Sequence, residues 1–282
     1  MDTADIKLIK RLLGVGVQRS TPLGGGCLGD VRRLDLEDGR ALVLKRGENL
    51  EVEGRMLGFL KERTGLPVPD VFHADDQILI MDWIDGAPGV LSAGAERDLA
   101  AHVAGLHDIT ASAFGFEWDT VIGPLGQPNG GMTDWPSFFA GRRLMHMARL
   151  GLDAGQLPDT LMARIERLAA RMADELDHNP KPSLLHGDLW GGNILVHGNR
   201  VAGFIDPAIY FGDPEVELAF MTLFGTVGRD FFAAYRERRF IAPGFEERRR
   251  HIYLLYPLLV HVCLFGGSYV AQVAAGLDRL GY

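Results

Sequence analysis

Three side chains that can hold a metal or a proton fall close together in one stretch of this sequence. In Leu184-Leu185-His186-Gly187-Asp188-Leu189-Trp190-Gly191-Gly192-Asn193-Ile194-Leu195-Val196, an apolar run enters a glycine-rich loop holding an Asp and, five positions on, an Asn. Gly198-Asn199 is a favoured two-residue turn, so Ile194–His197 should pair with Arg200–Ile205. With His197 opposite Arg200, Asn193 falls opposite Phe204, and Asp206 lies just past that pair at the same end of the hairpin. An amide oxygen and a carboxylate converging there suit Mg²⁺, which is held by one or two carboxylates plus substrate phosphates. Asp188, in the loop leading into the hairpin, is placed to accept a proton. A loop Asp, an Asn in the D-x4-N pattern and a separate metal-binding Asp make up the layout of phosphoryl transfer. Asp and Asn also cap turns, but three of them in this order around one hairpin favour the chemical reading.

A second group lies upstream. Gly24-Gly25-Gly26-Cys27 precedes a β-prone segment, and such a turn lets backbone N–H groups approach a phosphate. Lys45 ends a later strand, where a kinase-like lobe carries its phosphate-pairing lysine. A helix fits Asn49 to Arg63, with Val52, Met56, Phe59 and Leu60 on its apolar face and Glu53 on the flank of that face. A carboxylate there costs free energy unless paired, and Lys45 is the obvious partner. Cys27 is either a small filler or, near phosphate-facing N–H groups, a thiol of lowered pKa open to oxidation.

The elements that must position these residues change character near residue 90. Val31–Leu36 and Ala41–Lys45 read as strands around the turn Glu37-Asp38-Gly39, and Gln77–Trp83 as another. Beyond Asp85-Gly86-Ala87-Pro88-Gly89, the segments Ala95–Asp108, Leu161–Leu176 and Leu254–Phe265 read as helices, the last kinked at Pro257. The expectation is an α+β chain of two lobes: residues 1–84 for nucleotide, residues 85–282 for catalysis and acceptor, with a hinge about 82–90. At 282 residues the chain can bury a core of that size. Its 29 Lys+Arg against 37 Asp+Glu argue against nucleic-acid or anionic-membrane partners, which need a basic face. The two cysteines, Cys27 and Cys263, fit a reducing compartment, and no signal peptide or span is evident, so cytoplasmic residence is expected.

At this level of detail the chain resembles the fructosamine (ketosamine) kinase family, within the kinase-like group that includes aminoglycoside phosphotransferases. The resemblance is carried by His186-Gly187-Asp188-Leu189-Trp190-Gly191-Gly192-Asn193, by Ile205 through Asp213, by Asp134-Trp135-Pro136-Ser137-Phe138-Phe139, and by Ala242 through Glu246 and Leu264 through Tyr269. It implies a two-lobed protein-kinase-like fold and an enzyme that transfers the ATP γ-phosphate to the C3 hydroxyl of a ketosamine, whose 3-phosphate then decomposes and frees the amine. The implied roles are Asp188 as base, Asn193 and Asp206 on Mg²⁺, and Lys45 with Glu53 on the phosphates. Gly24, Gly25, Gly26 and Cys27 would form the phosphate loop, and Met81, Asp82, Trp83 and Ile84 the adenine-facing hinge. On the acceptor side stand Trp190, whose ring suits a sugar face, with Asp134, Trp135 and His261. His261 sits in an otherwise apolar helix, where a satisfied core histidine is the favoured reading. The acceptor would be a small-molecule or protein-bound ketosamine and the protein a monomer or weak homodimer. An aminoglycoside or other amino-alcohol phosphotransferase and a non-catalytic nucleotide-binding module are the alternatives.

Overall fold

The computed structural model describes residues 3–24 and 30–282. Gly25, Gly26 and Cys27 of the expected phosphate loop lie outside the described residues, and Gly24 sits in the turn leading to them. Five antiparallel strands, β1 (Val17–Pro22), β2 (Asp30–Leu36), β3 (Ala41–Arg46), β4 (Val71–Ala74) and β5 (Ile78–Asp82), form one sheet in the order β1-β2-β3-β5-β4. Side chains alternate along β3, and this sets the roles of the two faces. Leu42 and Leu44 join Leu34, Leu36, Ile80 and Ile9, the last from helix α1 (Thr3–Leu13), in a small core. Val43 faces the other way, into the main core with Met56, Leu57 and Leu60 of helix α2 (Leu50–Arg63). Lys45 shares that second face, so it meets α2 rather than solvent.

The buried face of α2 is rotated from the sequence expectation. Leu50, Glu53, Gly54, Met56, Leu57 and Leu60 are buried, while Val52 and Phe59 are only half-buried. Glu53 therefore lies in the middle of the buried face. The cause is close packing on the sheet at Gly54, where a Cβ would stand 2.4 Å from that of Ala74. The turned-out side of α2 meets a second partner: Phe59 packs edge-on to Phe116 at 4.9 Å, and the Arg55 guanidinium lies 4.4 Å from the Trp118 ring. That segment leads into the hairpin β6 (Thr120–Ile122) and β7 (Leu125–Gln127), whose turn accepts a hydrogen bond from Asn49, the residue that starts α2.

The rest of the chain is mainly helical. Helix α3 (Ala93–His107) begins at Ser92, whose hydroxyl accepts from Ala95 N–H. Helix α4 (Trp135–Phe138) runs through a π-helical turn, Phe139–Leu144, into α5 (Met145–Asp153). The single helix expected over 161–176 is two, α6 (Asp159–Ala170) and α7 (Met172–Glu175), broken where Arg171 leaves helical geometry at φ −108° and ψ 9°. Strand β8 (Ser183–Leu185) pairs with β11 (Tyr210–Gly212), enclosing the hairpin β9 (Ile194–His197) and β10 (Arg200–Phe204). Helices α8 (Pro214–Leu223), α9 (Arg229–Arg236), α10 (Arg250–Phe265) and α11 (Ser268–Leu280) complete the chain, with Pro257 inside α10. Among the described residues no helix is long and apolar enough to cross a membrane. In the segment expected to be the hinge, Ala87 exchanges two backbone hydrogen bonds with Val196 of β9.

A buried ionic network anchors the start of α8. Asp213 caps the helix by accepting from Glu215 N–H, and its other oxygen receives His178 Nε2 at 2.6 Å and the Tyr253 hydroxyl. Arg249 binds Glu215 through two hydrogen bonds of 2.6 and 2.8 Å. Burial alone would lower the His178 pKa, but Asp213 and Glu215 outweigh it and hold the imidazolium above its ordinary range. A base stabilised in its charged form contributes fully below its unfolded pKa, about 6.5, and loses that contribution as pH rises through the folded value. The Tm gap between wild type and His178→Gln is therefore expected to be larger near pH 6 than near pH 9. A gap independent of pH, read by thermal melts, would refute the ionic role.

Candidate active site

Strand β8 ends in a loop whose shape depends on Gly187. This residue has φ +86°, and a Cβ there would stand 2.1 Å from the carbonyl oxygen of Ala208. No other residue type fits without displacing the backbone. The same approach is closed from the other side by Ala208 N–H, which donates to His186 C=O at 2.7 Å. The loop then presents Asp188, and Asn193 Nδ2 donates to both the main-chain oxygen and Oδ2 of Asp188, each at 2.9 Å. With its N–H groups committed to Asp188, the Asn193 amide keeps its oxygen as an acceptor.

The β9–β10 hairpin forms with His197 opposite Arg200, and Gly198 supplies the positive φ of the turn. One detail of register differs from the sequence expectation. Ala202 bulges between Val201 and Gly203, so Phe204 pairs with Ile194, and it is Ile205 N–H that bonds Asn193 C=O at 3.1 Å. Gly203 lies so close to Ile84 that a Cβ would come within 2.3 Å of the Ile84 side chain. The bulge moves the register by one residue, but Asp206 still follows immediately, turned by a left-handed φ of 54°.

Lys45 joins the two halves of the site. Its Nζ donates to Glu53 Oε2 at 2.6 Å and to Asp206 Oδ1 at 3.2 Å. Burial would favour the neutral amine, but the carboxylates of Asp206 and Glu53 hold Lys45 above the ordinary lysine range. Glu53 Oε1 is buried with no hydrogen-bond partner among the described residues. Burial and the charge of Asp206 push Asp188 up to about 7, against the pull of Asn193 and Lys45. One cation thus stands among three carboxyl groups, Glu53, Asp188 and Asp206, and the oxygen-only donors Asn193 and Asp206 at its edge have the chemistry that a hard divalent cation requires.

Sequence reasoning passed over the group that holds the loop in place. Glu217 of α8 is fully buried, its Oε1 accepting from Gly187 N–H at 2.7 Å and its Oε2 from His186 N–H at 3.3 Å. His107 Nε2 lies 3.0 Å from the same Oε2, and His107 Nδ1 lies 2.8 Å from the Tyr235 hydroxyl. Burial alone would raise the Glu217 pKa, but His107 and the Gly187 amide bring it below the ordinary glutamate range. The signal was present: Glu217 interrupts the apolar run Val216 to Met221, as Glu53 does in α2. The His186 ring holds the loop less firmly than Glu217 does. Its Nδ1 faces Asp188 N–H at 3.4 Å, its Nε2 has no partner among the described residues, and burial lowers its pKa.

The acceptor-side candidates separate. Trp190 is 37% exposed beside the loop, folded over Gly192, where a Cβ would meet its ring at 2.4 Å. His261 is half-buried among Phe224, Phe265 and Tyr269. Trp135 does not belong with them. It is 2% exposed, packed on Phe114, Phe138 and Phe139, and its Nε1 is used on the Tyr253 hydroxyl. A core tryptophan with a satisfied N–H offers no face to a ligand. Asp134 caps α4 by accepting from Ser137 N–H, which accounts for it structurally. In the expected hinge, Met81 is buried, and the N–H groups of Asp82 and Trp83 are engaged by Asp70 and Ala41 carbonyls. Trp83 also lies under the Arg33 guanidinium at 4.6 Å.

Comparison with known proteins identifies the family of the chain. The sequence profile of the fructosamine kinase family matches residues 1–281. A "probable ketoamine kinase" of Enterococcus faecium is 34% identical over 268 residues, covering 92% of this chain and 94% of that one. One of Lactiplantibacillus plantarum is 37% identical over 221 residues, 78% of this chain and 76% of its own. A crystal structure of a "putative fructosamine-3-kinase" from Thermobifida fusca superposes with a TM-score of 0.87 at 30% identity over 99% of both chains. An aminoglycoside phosphotransferase superposes with a TM-score of 0.71 at 19% identity over 98% of this chain and 97% of its own, a likeness of fold alone. Profile, relatives and fold together place this chain in the fructosamine kinase family.

Proposed function

We propose that the protein is a ketosamine kinase that moves the γ-phosphate of ATP onto the C3 hydroxyl of a sugar ketoamine, with Asp188 as the base. The observation that carries this reading is the convergence of Lys45, Glu53, Asp188, Asn193 and Asp206 in a chain of this family. Lys45, fixed by Glu53, pairs with the nucleotide phosphates, and the segment from Met81 to Ile84 faces the adenine. Asn193 and Asp206 would hold Mg²⁺, which would neutralise charge on the transferred phosphoryl group. Asp188 takes the proton of the C3 hydroxyl while the new O–P bond forms. The bond from the γ-phosphorus to the bridging oxygen breaks, and ADP leaves with that electron pair. Trp190 offers its ring to the sugar. The 3-phosphate decomposes afterwards and releases the amine, which makes the role one of deglycation. Residues 1–84 serve the nucleotide and residues 85–282 the catalysis and the acceptor. All the groups named come from one chain, in keeping with a monomer or weak homodimer, and the scarcity of cysteine fits the cytoplasm.

A coupled ADP-release assay across ribulosamines, fructosamines and aminoglycosides tests the reading. ADP is expected with ketosamines, with phosphorus NMR placing the new ester at C3, and activity confined to aminoglycosides would overturn it. In the same assay Lys45→Met should lower kcat/KM for ATP by about a hundredfold, the range for removing one preorganised charge-stabilising group. An unchanged ATP response would exclude Lys45 from the nucleotide site.

A further inference from the structure

Gln127, the last residue of β7, is fully buried and uses its amide on three separate parts of the chain. Its Nε2 donates to Ala208 C=O at 3.0 Å and to Thr120 Oγ1 at 2.8 Å, and its Oε1 accepts from the hydroxyl of Tyr256, on α10, at 2.6 Å. With both N–H bonds and the carbonyl oxygen engaged, the amide has a single orientation. The partner strand is braced in turn. Asn129 Nδ2 donates to Thr120 Oγ1 and to Trp118 C=O, each at 3.0 Å, and Arg143 Nη2 donates to Asn129 Oδ1 at 2.7 Å. Arg143 is itself buried, with its guanidinium 3.9 Å from the Tyr210 ring.

The Ala208 peptide that Gln127 grips is where the two carboxylate-bearing segments of the site touch. Ala208 N–H donates to His186 C=O, Gly187 packs against the Ala208 carbonyl oxygen, and Asp206 lies two residues upstream. Movement of this peptide therefore alters the placement of Asp188 relative to Asp206. The far end of the same hairpin reaches α2, where Pro124 C=O accepts from Asn49 Nδ2 at 3.3 Å, one helical turn before Glu53.

We propose that Gln127 is a positioning residue for phosphoryl transfer: by fixing the Ala208 peptide it sets the spacing between the Asp188 loop and Asp206. The proposal rests on the kinase reading and extends it to a residue that touches none of the reacting groups. The β6–β7 hairpin is then a strut, with α2 and its Glu53 at one end and the Asp206–Ala208 segment at the other. A misplacement of about 1 Å in the reacting geometry costs about a hundredfold in rate.

Gln127→Met keeps the length of the side chain and removes its hydrogen bonds. It is expected to lower kcat for ketosamine phosphorylation by about ten- to a hundredfold, with KM for ATP little changed. Adding Tyr256→Phe removes the hydroxyl left without a partner, and replacing both partners by apolar groups is close to neutral for stability, so the double variant should regain part of the lost Tm. Its kcat should stay low, because the Ala208 carbonyl is still unheld. Tyr256→Phe alone leaves the bond to Ala208 in place and should keep kcat close to wild type. If wild type phosphorylates ketosamines and Gln127→Met keeps its kcat, or the double variant recovers kcat together with Tm, Gln127 acts on stability alone; the positioning role is refuted and the kinase reading stands. If wild type phosphorylates no ketosamine, the kinase reading fails and the positioning role falls with it.

Discussion

Replacing Asp188 with Asn is expected to lower kcat by about a thousandfold, within the range for loss of a general base, while ATP binding is retained. The exchange keeps size and shape, and the hydrogen bonds from Asn193 lose only part of their acceptor, so the change isolates proton acceptance. A carboxyl pushed up to about 7 is active as a base only above that pH. Wild-type kcat/KM should therefore fall as pH drops through about 7, well above the ordinary carboxylate range of about 4. Stability should move the opposite way. Burial raises this pKa because the charged form costs free energy in the folded state, so at neutral pH the Asn variant should melt higher, by about 2–6 °C. Activity assays and melts on one preparation check both effects. An unchanged turnover would remove Asp188 from the reaction, and a lower Tm would contradict the account of its burial.

Glu217→Ala should produce the largest loss of stability. It strands two backbone donors of the Asp188 loop, Gly187 and His186, together with His107, all buried. Removing one member of a buried, hydrogen-bonded charged cluster costs about 3–5 kcal/mol, roughly 6–20 °C of Tm for a chain of this size. Glu217→Gln keeps one acceptor oxygen but turns an NH₂ group toward donors, so it should fold and yet show turnover reduced by about ten- to a hundredfold through misplacement of Asp188. That loss should appear in kcat for both substrates, with KM for ATP little changed. The glutamate's own linkage has the opposite sign to that of His178. Its pKa is depressed in the folded state, so its contribution is present above the unfolded value of about 4.3 and is lost as pH falls through the lower folded value. A Gln variant with wild-type kcat would show that the loop holds its geometry without Glu217.

Much of the site could be read from residue type and spacing because its parts are local. The loop from His186 to Asn193 and the hairpin after it lie within about twenty residues, and turn chemistry at Gly198-Asn199 and the two-residue period of strands bring Asn193 and Asp206 together. The pairing of Lys45 with Glu53 was legible for a different reason: a carboxylate on an apolar helix face demands a partner wherever the chain provides one. The same rule pointed at Glu217, but its partners are backbone amides, and nothing in a residue string marks an N–H group as unpaired. The identity of His107 as its neighbour, 110 positions away, is likewise invisible without the fold.

Tertiary packing decided the rest. Amphipathic spacing placed Glu53 on a flank, but the close approach of α2 to the sheet at Gly54 turned it to the centre of the buried face. Trp135 and Trp190 are the same residue type beside matching motifs, and only three-dimensional packing makes one a core ring, 2% exposed, and the other a surface ring at the catalytic loop. By itself the sequence determined the chemistry, an Asp, an Asn and a second Asp around one hairpin with a distant Lys and Glu, because hydrogen-bonding type and local periodicity are properties of the chain. Which aromatic residues stand exposed beside the loop, and which buried carboxylate holds it, were decided by the fold, because both depend on contacts between elements far apart in sequence.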